Sequence, residues 1–152
     1  MKTAILRATL THDFLSRFPG PYCYQAGRDG VDDTFDIICL KSGQHIAATY
    51  YWSERRACEL IAHIVCHALN AMHVESDDYS PFTDEQVTEC ERQMFCGMHR
   101  PPFASREFHC EYRGPGNEVF CVANEENVIC VYETDAAMIA DQIAASLNEL
   151  LI

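Results

Sequence analysis

Twice along this chain, two short apolar segments joined by a polar turn run into an amphipathic helix, and that repeated order constrains the fold more than any other feature. The first occurrence spans 34 to 72. Phe35 to Leu40 and Ile46 to Trp52 flank the turn Lys41–Gln44 and read as a β-hairpin. Ser53 then caps a helix in which Leu60, Ile61, Ile64, Ala68 and Met72 recur at three- and four-residue spacing. The second lies at the C-terminal end: Val119 to Val122, the turn Asn124–Asn127, Val128 to Tyr132, and a helix capped by Thr134 whose stripe is Ile139, Ile143, Leu147 and Leu150. A gap-free overlay at an offset of 82 residues pairs Cys39 with Cys121, Tyr50 with Tyr132, Ile61 with Ile143, Ala62 with Ala144 and Leu69 with Leu151. A duplicated ββα unit accounts for the matches. Two unrelated amphipathic units, each burying one face, would share part of them.

The remaining segments complete an α+β reading. Lys2 to Thr9 is a strand and Thr11 to Phe18 a short helix, while Gly20 to Asp33, rich in Gly and Asp, reads as an exposed loop. After a polar loop, Thr83 and Gln86 stand in capping-box spacing at the start of a helix reaching Met98, with a narrow stripe of Val87, Cys90, Met94 and Met98. Pro101 and Pro102 end it. Arg106 to Tyr112 alternates as a strand and joins the last unit through the turn Gly114–Asn117. The expectation is one domain over 1–152, made of a ββα unit at 34–72, a connecting helix region at 73–104, and a strand plus second ββα unit at 105–152. Its antiparallel sheet has five or six strands, and three main helices pack chiefly on one face.

No run approaches the roughly 20 apolar residues of a spanning helix, and Arg7 interrupts the only apolar stretch near the N-terminus, so neither a membrane nor a secretion signal is expected. The nine cysteines are odd in number and scattered. They read as reduced thiols of a cytoplasmic protein, with Cys39, Cys121 and Cys130 acting as small core hydrophobes. Trp52 is expected in the core as well.

Net charge carries most of the functional argument. The formal value is -12, yet residues 1 to 73 hold seven acids and seven bases, and 92 to 113 have two more bases than acids. The whole surplus therefore falls in two base-free blocks. Residues 74 to 91 contain Glu75, Asp77, Asp78, Asp84, Glu85, Glu89 and Glu91, and 114 to 152 contain Glu118, Glu125, Glu126, Glu133, Asp135, Asp141 and Glu149. First-turn positions account for Asp84, Glu85 and Asp135, because carboxylates there interact well with the helix dipole. Solubility accounts for a general excess of acid. A chain so short of bases does not grip a phosphate backbone directly, whereas a one-signed field of carboxylates steers it toward a Lys- and Arg-rich partner. The principal patch is the 74–91 set, and Glu125, Glu126, Glu133 and Asp141 form a second.

Other chemistry is less well supported by spacing. His63 and His67, at i and i+4, share one helix face, and Cys96 with His99, or His109 with Cys110, would have to complete a zinc site; no CxxC knuckle or HExxH motif is present. No cofactor is expected, and zinc is the alternative. There is no nucleophile elbow, P-loop or dinucleotide fingerprint, since Gly27–Gly30 and Gly114–Gly116 are turns, so catalysis is not expected.

The helix Arg56 to Ala71, with its Ala and Ile content and a late Ala-x-Asn at Ala68–Asn70, resembles the hairpin-following helix of small phage and prophage accessory proteins. Asp135 to Asn148, with Ala144 and Asn148, resembles it too. The many cysteines and the histidine pair are not part of that pattern. The resemblance implies a mobile-element origin and a role, like that of anti-CRISPR proteins, as an inhibitor of host defence complexes in the host cytoplasm. Together with the charge it gives the expected function: a non-enzymatic acidic inhibitor, monomer or homodimer, whose carboxylates stand in for nucleic-acid phosphates on a basic host protein or nucleoprotein complex. The alternatives are an immunity protein that covers a toxin nuclease and a zinc-binding or thiol-dependent enzyme.

Overall fold

The computed structural model describes residues 10–27, 34–49, 55–73, 85, 89, 107–113, 116–121, 126–131 and 135–150. The chain forms α1 (His12–Arg17), β1 (Tyr22–Ala26), β2 (Phe35–Cys39), β3 (His45–Thr49), α2 (Arg55–Met72), β4 (Phe108–Arg113), β5 (Gly116–Cys121), β6 (Glu126–Val131) and α3 (Ala136–Leu150). The architecture is α+β. All six described strands belong to one antiparallel sheet in the order β1-β2-β3-β6-β5-β4. Each half is thus a three-strand meander followed by a helix, and the halves meet where β3 pairs with β6 through Ala48 opposite Cys130 and Thr49 opposite Ile129.

Strand alternation explains how one face became the core. Ile37, Ala47, Ile129 and Val119 are fully buried at aligned register positions, and they share a cluster with Leu60, Ile61, Ile64 and Leu69 of α2 and Ile139, Ile143, Leu147 and Leu150 of α3. Both expected helix stripes are therefore the buried stripes. Helix α1 joins them through Phe14 and Phe18, whose rings lie 5.3 Å apart. Its cap, Thr11, accepts from the Phe14 N–H, and the Thr11 N–H donates to the buried Gln142 side chain of α3 at 2.9 Å.

Three expectations change. The segment Gly20–Asp33 is not all loop, because β1 occupies Tyr22–Ala26 and pairs with β2 from Tyr22 opposite Cys39 to Ala26 opposite Phe35. Its two tyrosines, good strand formers, sit at the register positions facing Cys39 and Ile37, and sheet pairing outweighs the Gly and Asp content around them. The turns at 114–117 and 124–127 are shorter than expected for the same reason. Gly116 and Asn117 belong to β5, Glu126 and Asn127 to β6, and Asn117 is buried opposite Val131. The repeated unit is consequently βββα rather than ββα.

The third change is the register of the repeat. Buried positions 139, 140, 142, 143, 144, 146, 147 and 150 of α3 coincide with buried 61, 62, 64, 65, 66, 68, 69 and 72 of α2 at an offset of 78, four residues from the gap-free 82. Four residues is about one helical turn, which keeps the same stripe facing the sheet and hides the difference in a sequence overlay. The strand Lys2–Thr9, the caps Ser53 and Thr134, the run Tyr50–Trp52, and all of the helix 83–98 except Glu85 and Glu89 lie outside the described residues. Those two are helical.

Candidate functional site

Each helix ends beside the outermost strand of its own half, held by one asparagine. The Tyr22 N–H donates to Asn70 Oδ1 at 2.9 Å, and Asn70 Nδ2 donates back to the Tyr22 carbonyl at 2.9 Å. In the other half the Phe108 N–H donates to Asn148 Oδ1 at 2.8 Å, and Asn148 Nδ2 returns to the Phe108 carbonyl at 2.9 Å. The two asparagines stand 78 residues apart, like the buried helix positions. Around the first contact the chain is tightly built: the Leu10 N–H donates to the Met72 carbonyl at 3.1 Å, His73 Nε2 lies 2.7 Å from the Pro19 carbonyl, and Tyr22 Oη donates to the Phe18 carbonyl at 2.6 Å.

Two turns before each asparagine the halves diverge. His63 of α2 is exposed and meets the Tyr24 ring edge-on, with centroids 6.2 Å apart. The equivalent α3 residue is Asp141, also exposed, and it reaches Cys110, which occupies in β4 the place of Tyr24 in β1. Burial pushes the Cys110 thiol up; the Asn117 amide, 3.2 Å from its Sγ, lowers it, and the Asp141 carboxylate raises it. A carboxylate beside a thiol opposes thiolate formation. Cys66 is likewise held protonated, pushed up to about 12 by burial and by Cys23 nearby. Cys39 behaves differently. Burial raises it, but the Ser42 hydroxyl and the backbone of Ser42, Gly20 and Lys41 hydrogen-bond to it and hold it below the ordinary thiol value. It is fully buried all the same.

The expected carboxylate patches are only partly within the described residues. Glu85 and Glu89 are both exposed and share a helix face at i, i+4, a spacing of roughly 5–6 Å between Cβ atoms. Asp141 is exposed on α3, and Glu126 is the first residue of β6. Glu75, Asp77, Asp78, Asp84, Glu91, Glu125 and Glu133 lie outside the described residues. Carboxylates that the sequence reading left out of the patches also come to the surface in the second half: Glu107 and Glu111 are exposed at β4, and Glu111 stands directly opposite Glu118 in register. Like charges in that position disfavour pairing, so the strand pattern itself carried a signal that charge counting missed. Some acids have basic or imidazole neighbours. Asp135 meets Arg17 at 3.3 Å, His109 approaches Glu111 at 3.6 Å, and the buried Asp36 lies 3.3 Å from His45.

Of the expected metal ligands, His63 is exposed and His67 half-buried on α2, while Cys96 and His99 lie outside the described residues. Among the described residues no three His, Cys, Asp or Glu side chains converge as metal ligands, and no helix is long and apolar enough to cross a membrane. Comparison with protein-family models, with curated proteins and with solved structures finds no match to the chain.

Proposed function

We propose that this protein is a non-enzymatic binding protein whose carboxylate-rich surface engages a basic, nucleic-acid-binding partner. The observation that carries the reading is the segregation of charge: 39 consecutive residues from 114 onward contain seven acids and no Lys or Arg. Much of that block is the second βββα half, and to its exposed carboxylates β4 adds Glu107 and Glu111. The first half has no such excess although it repeats the same architecture. Within the sheet the acidity therefore belongs to one half and not to the shared architecture, as expected if it serves recognition, and the rest of the surplus lies in the 74–91 block between the halves. In this reading the two halves are copies of one ancestral unit, the second specialised by its charge.

The more specific form of the proposal is an inhibitor encoded by a phage or another mobile element and acting in the host cytoplasm, of the anti-CRISPR type, with carboxylates occupying places otherwise taken by phosphates. Its test is competition. Partners captured from host lysate should include a nucleic-acid-binding protein that excess oligonucleotide displaces, and binding should weaken steeply between about 50 and 500 mM salt. A captured partner that holds the protein equally well at both salts and in the presence of oligonucleotide overturns the reading.

A further inference from the structure

An edge strand offers its outward N–H and C=O groups to any strand that approaches, and folded proteins close or disguise such edges. Among the described residues, the outer strands of this sheet are β1 and β4. Each begins with a residue whose N–H and C=O are both taken by one side-chain amide, Asn70 for Tyr22 and Asn148 for Phe108, at 2.8–2.9 Å throughout. An amide side chain presents the same acceptor and donor that a neighbouring strand would present. We infer that Asn70 and Asn148 act as a matched pair of strand mimics that close the two sheet edges where they begin, and so keep a second copy of this chain from adding to the sheet.

Three observations meet in this assignment. The contact recurs at both ends of the sheet, at helix positions related by the same offset of 78 as the buried stripes, although the residues two turns earlier, His63 and Asp141, have diverged. The contact is also two-sided: a side chain needed only to end a helix would not have to satisfy both a donor and an acceptor of one strand residue. Finally, both outer strands are short, five and six residues, so removing the first outward-facing residue takes away a large share of the pairing template.

The test compares Asn70→Ala, Asn148→Ala and the double variant of the full chain with the wild type by amide hydrogen exchange and by sedimentation velocity over a range of concentrations. The expected result is exchange faster by about tenfold or more at Tyr22 in the first variant and at Phe108 in the second, with self-association of the double variant strengthened by about tenfold or more. Adding Ala26→Lys, at an exposed position of β1, to the double variant should weaken its self-association without restoring protection at Tyr22. If an alanine variant does not fold, Asn70→Asp and Asn148→Asp, which keep shape and acceptor but lose the donor, carry the same association measurement and the same expectation. Faster exchange with wild-type association in every folded variant overturns the inference.

Discussion

At residue 20 the chain turns from α1 into β1 with φ at +78°, and a Cβ there would stand 2.9 Å from the His73 ring and 3.1 Å from the Tyr22 ring. Neither ring can easily retreat, because His73 is tied to the Pro19 carbonyl and Tyr22 to the Phe18 carbonyl and Asn70. Gly20→Ala should therefore cost about 1–3 kcal/mol, measured by denaturant unfolding. A neutral result would mean that the loop is not held as described. Cys66 gives a second residue-scale prediction. Its folded-state pKa is raised to about 12 from an ordinary value of 9.0, so its contribution to stability is complete below pH 9 and is lost as pH rises toward 12. Between those limits the wild type should lose about 1.4 kcal/mol more per pH unit than Cys66→Ala, and parallel pH profiles for the two proteins would contradict the assignment.

At the scale of elements, the helices and their apolar stripes were legible because a period of 3.6 residues survives in Leu60–Ile64–Ala68 and Ile139–Ile143–Leu147. Strand β1 was not, because Tyr22 to Ala26 is short and bracketed by Gly20, Pro21 and Gly27, so local chemistry reads as turn and only the partner strand β2 makes it a strand. The edge contacts were half legible. Asn70 and Asn148 stood out in the repeated helix pattern, but the sequence does not show that both reach a strand's first residue. Equivalence at an offset of 78 makes a prediction of its own. Ile61→Ala and Ile139→Ala, both fully buried at matching positions, should each cost about 2–5 kcal/mol and differ little from one another. A large loss at one and almost none at the other would separate the two halves energetically.

For the whole molecule, the two halves share one sheet and one buried face but not one surface. The acidic surplus lies in the block preceding β4 and in the second half, and the described structure adds exposed Glu107, just before β4, and Glu111, which the pairing register sets opposite Glu118. Burial and the Asp141 carboxylate hold the Cys110 thiol above its ordinary value, and burial does the same for Cys66. The most direct measurement is capture of host proteins by the wild type and by a variant with Glu85, Glu89, Glu111 and Asp141 all changed to Lys, followed by challenge with oligonucleotide. The account predicts that the wild type holds a nucleic-acid-binding protein which oligonucleotide displaces and which the variant fails to capture. Retention of the same partner by the variant, unaffected by oligonucleotide, would contradict it.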